Sequence, residues 1–233
     1  MVNRMQVQSR FAGAPDVEIS RLLSALGFGR EPEATAARRR LEEARLTRPG
    51  KVRISSDKVG RVAECLNDQF ALVCGRALCT ASIPSNVQAV IVDDHDCRVC
   101  GGSDTRRACL RLRKALQAAD RHQLRLMVVG GAPGTCAELT SLDLGPVTMR
   151  SIFGDRPHEL GGVRADLAWA DLLLVWSATE LAHKVSVPYV AAAHAFGVPI
   201  ITCPRRGVAA LVDTLTQHVD LKQRHRILEL ARP

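Results

Sequence analysis

LRLMVVGG, residues 124–131, begins a pattern repeated at VTMRSIFG (147–154), DLLLVWS (171–177) and VPIITCP (198–204). LRLMVVGG is an apolar run closed by glycines, which is how a strand buried on both faces reads, and the other three read as further strands. Between them lie the helical stretches CAELTSL (136–142), LGGVRADLAWA (160–170) and ELAHKVSVPYVAAAHAFG (180–197). GVAALVDTLTQHV (207–219) closes the series as a last helix. Strands alternating with helices call for a parallel sheet with right-handed crossovers. Residues 121–218 are therefore expected to form a small Rossmann-like α/β domain, with residues 219–233 as a basic tail.

Residues 1–70 read differently. PDVEISRLLSALGF (15–28), EPEATAARRRLEEARLT (31–47) and SSDKVGRVAECLNDQF (55–70) each carry apolar residues at helical spacing. They predict three helices, the middle one bearing the run Arg38, Arg39, Arg40. Such a trio suits a helix-turn-helix-like unit facing phosphate, or a packing bundle with a solvated basic face.

Four of the eight cysteines fall in two close pairs, Cys74-x4-Cys79 and Cys97-x2-Cys100. Two thiolate pairs at this separation can close on one tetrahedral zinc, and Gly101-Gly102 lets the backbone turn toward the sulfurs. A strand in NVQAVIVDDHD (86–96) is expected to hold the two knuckles at one end of a hairpin, as in a zinc ribbon. His95 is an alternative fourth ligand, and Asp93, Asp94 and Asp96 form an acidic turn that suits either a divalent ion or plain solvation. Cys65, Cys109, Cys136 and Cys203 read as small buried hydrophobes.

The helix after the second pair places Arg106, Arg107, Arg111 and Lys114 on about two turns, and Arg107, Arg111 and Lys114 recur at i, i+4, i+7. Residues 71–120 are thus expected to be a zinc-ribbon-like module that presents a basic stripe to DNA or RNA. The charge supports this: residues 1–120 hold 20 basic against 14 acidic side chains, residues 121–233 hold 12 against 10. Aromatic residues are only 3% of the chain, which argues against a base-stacking platform. No apolar run has the length of a membrane span, and the first residues lack a signal-peptide core, so the expectation is a cytoplasmic protein with no membrane partner.

At the strand ends of the α/β domain, Gly130, Gly131, Thr135, Ser177, Thr179, Arg205 and Arg206 are candidates to bind a small anionic ligand. GGAPGT lacks both the dinucleotide fingerprint and the Walker lysine. Glu180 and His183 are the candidates for acid/base work, though no nucleophile sits beside a base. An enzyme acting on a nucleotide or phosphorylated metabolite at this edge is one alternative function. A structural adaptor, with this domain as a protein-interaction surface, is another. The leading expectation is a zinc-binding, nucleic-acid-associated or regulatory protein whose α/β domain senses a small ligand or forms a homodimer.

Residues 124–216 also resemble a bacterial family of uncharacterised Rossmann-like domains, classed as a domain of unknown function. The likeness rests on the strand ending at Gly130-Gly131, on ADLLLVWSATELAHKVS (170–186), and on Arg206-Gly207-Val208. The Ser-His order typical of that family's helix start is replaced here by Glu180, His183 and Ser186. The resemblance implies the fold and no established activity.

Overall fold

The computed structural model describes residues 9, 11, 15–155, 159–178 and 181–230, with side chains up to residue 225. The chain is a mixed α/β protein that divides into two compact units, residues 1–103 and 104–233.

In the first unit the three expected helices are present as α1 (Ile19–Ala25), α2 (Glu33–Glu43) and α3 (Val59–Gln69). Two short strands, β1 (Asp16–Glu18) and β2 (Arg53–Ser55), correct the all-helical expectation. They pair antiparallel, with Val17 opposite Ile54. Their period is two, since one buried residue stands between two residues facing water in β1, and Val17 and Ile54 both reach the core of α1, α2 and α3. Three residues are too few to betray that period in the sequence.

β3 (Phe70–Val73) follows α3 directly, and β4 (Gln88–Ile91) pairs with it in parallel. The expected hairpin is therefore corrected to a crossover. Residues 74–87 lead through the short helix α4 (Ala77–Thr80), the kind of connection a parallel pair requires. Both strands thus point the same way, and both cysteine pairs lie beyond the same, carboxyl, ends.

The second unit opens with α5 (Asp104–Ala118), the basic helix expected to belong to the zinc module. Its apolar face of Ala108, Leu112 and Leu116 packs instead with Leu211, Leu215 and Val219 of α9 (Val208–Leu230). The expected basic tail is likewise the continuation of α9, whose helix runs to Leu230.

The sheet matches the sequence reading. β5 (Leu124–Val129), β6 (Val147–Ile152), β7 (Leu172–Val175) and β8 (Ile200–Thr202) are all parallel, in the order β6-β5-β7-β8. Alternate residues feed two cores. Leu124, Leu126, Val128, Leu172 and Leu174 meet α5, α9 and the residues of α6 (Pro133–Thr140) on one face. Met127, Val129, Leu173 and Val175 meet α7 (Leu160–Trp169) and α8 (His183–Phe196) on the other. Burying each such leucine stabilises the fold by about 1.5–3 kcal/mol, which is why β7 is apolar throughout and β5 is apolar apart from Arg125 at its start. Among the described residues no helix is long and apolar enough to cross a membrane.

At the amino edge of the sheet the Asp171 carboxylate accepts from the Arg125 backbone N–H at 2.9 Å and from its guanidinium at 2.7 Å. Arg125 holds the Asp171 carboxyl below its usual range, against a smaller opposing effect of burial. A group whose folded pKa is depressed stabilises fully above its unfolded pKa, and that contribution vanishes as pH falls through the folded value. Asp171→Asn should therefore lower the melting temperature by a few degrees at neutral pH. Thermal melts from pH 7 downward should show the gap between variant and wild type persisting to about pH 4 and closing below it.

Candidate metal centre

The four paired cysteines converge. Cys74 leaves the end of β3, Cys79 lies in α4, Cys97 follows a short turn of 3-10 helix (Asp94–Asp96) after β4, and Cys100 closes the next turn. Their sulfurs all lie within 4.8 Å of one another, and Cys74 Sγ stands 3.8 Å from Cys100 Sγ. Three of the four residues are buried, Cys74 being half-buried. None of the eight cysteines forms a disulfide.

Backbone hydrogen bonds set this geometry. Arg98 N–H donates to Leu72 O at 2.9 Å, which ties the second knuckle to β3. Gly101 N–H donates to Cys97 O at 2.7 Å, and Gly101 and Gly102 both take positive φ, so the chain folds back under Cys100. Burial pushes the Cys97 thiol up, but backbone N–H groups of Cys100, Cys74 and Val99 aimed at its sulfur outweigh this and bring it down to about 6. Burial raises Cys74, against the Arg76 backbone N–H, and burial followed by hydrogen bonding among the thiols raises Cys79. The cluster therefore localises negative charge on a sulfur already embraced by amides, the environment a metal-bound thiolate requires.

His95 is not part of the cluster. It is exposed, with Nε2 at 3.2 Å from the Asp96 carboxylate. The acidic turn is matched by cations: Arg30 reaches Asp93 at 3.3 Å and Arg76 reaches Asp94 at 2.7 Å. Cys109, Cys136 and Cys203 are buried and Cys65 half-buried, in line with their reading as small hydrophobes.

The basic residues do not form one free face. Arg38 pairs with Glu42 at 3.5 Å, Arg39 with Glu43 at 3.9 Å and Arg40 with Glu43 at 3.1 Å, all along α2. The i, i+4, i+7 stripe of α5 is corrected too. Arg107 is buried and holds Asp104 at 2.5 Å, while Arg111 makes two bonds to Asp213 of α9, at 2.8 and 3.0 Å. Arg106 and Lys114 are exposed. An arginine at the border of an apolar face can bury its stem and look outward in sequence while facing inward in the fold.

The carboxyl edge of the large sheet is filled by its own side chains. Strand order reverses between β5 and β7, where open α/β sheets place their ligands. Trp176, fully buried, occupies this point and donates its indole N–H to Arg205 O at 2.9 Å. Gly130 and Gly131 are buried, and a Cβ on Gly131 would stand 2.9 Å from Cys136 Sγ and 3.1 Å from the Trp176 ring. Ser177 Oγ donates to Cys203 O at 3.2 Å, and Arg206 Nε donates to Ala178 O at 3.2 Å. Arg205 is exposed, and Thr135 is half-buried in α6. Thr179 and Glu180 lie outside the described residues. His183 is exposed at the first position of α8, with Ala182 as the N-cap.

Sequence reasoning passed over Trp176, which the run LLLVWS presents as one more apolar residue. Its only signal was that a bulky indole followed a strand where a small polar residue would leave room for a ligand. No protein-family model, no curated protein and no solved structure matches this chain, so the chemistry of the four-cysteine cluster is what its function is read from.

Proposed function

We propose that Cys74, Cys79, Cys97 and Cys100 bind one zinc ion as a structural centre, and that the protein is a zinc-stapled binding scaffold rather than a catalyst. The separation of the sulfurs carries this reading. A tetrahedral zinc with Zn–S bonds of about 2.3 Å needs sulfurs about 3.8 Å apart, the distance between Cys74 and Cys100. Four thiolates leave no open coordination position for substrate, which favours a structural over a catalytic ion. The parallel β3/β4 pair supports it as well, because it delivers both knuckles to one end of a two-stranded sheet.

A polyanion partner is the weaker part of the reading. Contact with DNA or RNA through the seven basic residues would require Arg38, Arg39, Arg40, Arg107 and Arg111 to leave carboxylates that already hold them. The geometry favours a scaffold whose arginines fasten helices.

Elemental analysis of the purified full chain should give one zinc per chain. Replacing it with cobalt should produce the intense ligand-field and sulfur-to-cobalt charge-transfer bands of a tetrahedral tetrathiolate. A chain that stays metal-free after zinc reconstitution and melts unchanged would overturn the assignment.

A further inference from the structure

A cavity of about 730 Å³ opens at the amino edge of the large sheet, opposite the strand ends considered above. All its lining residues belong to residues 104–233, so it is independent of the metal centre. Its origin is a mismatch of lengths. α9 has 23 residues and α5 has 15, so α9 continues past the point where the two helices share a core. Beyond Val219 it is braced by one bond from the Gln223 side-chain amide to Ala118 O at 2.8 Å. Leu116, Leu124, Leu172 and Val219 form an aliphatic wall, and no Phe, Tyr or Trp lines the cavity.

The mouth is cationic. Arg121, just after α5, and Lys222, in α9, both line it and are exposed, and neither forms an ion pair among the described residues. Of the two carboxylates nearby, Asp171 is neutralised by Arg125, and Asp120 turns to His122 at 3.1 Å. His225 also lines the cavity, and His218 feels the charge of both cations. Burial, then the charges of Lys222 and Arg121, hold its imidazole below the ordinary value.

A volume of this size, a mostly apolar lining and a few convergent polar groups are the marks of a small-molecule site. The wall selects an aliphatic tail, since branched aliphatic side chains make up its apolar surface. The mouth selects a negative head, because an anion there relieves the repulsion between Arg121 and Lys222. We propose that this cavity binds a single-chain amphiphile with an anionic head, of the fatty carboxylate class, its tail against Leu116, Leu124, Leu172 and Val219 and its head between Arg121 and Lys222.

Calorimetric titration of the full-length, zinc-loaded protein at pH 7 tests this, using decanoate, decyl phosphate, 1-decanol and decyltrimethylammonium below their aggregation limits. Decanoate should bind once per chain, decanol at least tenfold more weakly, and the ammonium amphiphile not at all. Decyl phosphate against decanoate ranks the two anionic heads. The double variant Arg121→Glu, Lys222→Glu should weaken decanoate at least tenfold and leave decanol unchanged. Ala119→Trp, which fills the cavity, should abolish binding of every tail. Absence of decanoate binding, equal affinity for decanol, or binding that survives the charge reversal would overturn the proposal. So would a homodimer that decanoate does not disturb and Ala119→Trp breaks, since a second copy would then cover the cavity.

Discussion

Cys97→Ser should leave the purified protein with less than a tenth of the wild-type zinc and with the two knuckles, residues 74–80 and 97–103, unfolded locally. Cys97 is the ligand of choice because backbone N–H groups of Cys100, Cys74 and Val99 converge on its sulfur. Serine keeps the size and removes the thiolate. Binding free energies of structural zinc sites are on the order of 10–16 kcal/mol, and loss of one of four ligands forfeits a large part of that. The damage should be local because of how the core is divided. Among the described residues the buried cluster around the site is Val73, Cys79, Cys97 and Cys100, with Ala71, Cys74, Ile83, Ala89 and Val99 partly buried against it, so without the metal little apolar surface remains to order it. Val17, Leu22, Leu41, Ile54, Leu66 and Val90 belong to a separate core that the substitution does not touch.

Hydrogen exchange reads this directly. The amides of Arg98 and Gly101, bonded to Leu72 O and Cys97 O, should lose protection by two orders of magnitude or more. Those of α1 and α3 should change little. Cys65→Ser, outside the cluster, is the matched control and should keep both zinc and protection. If Cys97→Ser keeps its metal, or if the Arg98 amide stays protected in a zinc-free chain, the knuckles stand by themselves and the structural-zinc reading fails.

The α/β sheet was legible for a simple reason. Strands buried on both faces must be apolar along their buried length, and LLLV and LRLMVV, whose one charge Arg125 sits at the strand's start, announce themselves. The four cysteines were legible because ligand pairs need close spacing. What stayed hidden was direction and facing. Cys74-x4-Cys79 and Cys97-x2-Cys100 have the same spacing whether the strands before them run parallel or antiparallel; only the crossover through α4 decides it. β1 and β2, at three residues each, are shorter than any window that resolves a period. The basic stripe of α5 was misread because spacing places residues on one helical face without saying which neighbour that face meets. Arg111 meets Asp213, one hundred and two residues away.

Gly131→Ala should be the most destabilising single-methyl addition in the second unit, and it reports directly on whether the switch point is packed. Two penalties combine. Gly131 has φ +95°, a conformation that L side chains rarely adopt, at a cost of about 1–2 kcal/mol. The new Cβ would also stand 2.9 Å from Cys136 Sγ and 3.1 Å from Trp176, both buried, so one of them must shift in a close-packed core for about 1–3 kcal/mol more. The sum is about 2–5 kcal/mol, a fall in melting temperature on the order of 10 °C. Two controls separate the penalties. Gly207→Ala has φ +88° but open space around the new methyl, and should show the backbone cost alone. Gly134→Ala, in α6 with open space and no positive φ, should be neutral or slightly stabilising. Trp176→Ala in the Gly131→Ala background then decides the contact. If the ring is the obstacle, its removal should make Gly131→Ala cost no more than Gly207→Ala, a coupling visible in a double-mutant cycle. Should Gly131→Ala match Gly207→Ala already in the wild-type background, the crevice between β5 and β7 has room to spare. The strand-end residues Gly130, Ser177 and Arg206 would then return as candidates for a ligand site.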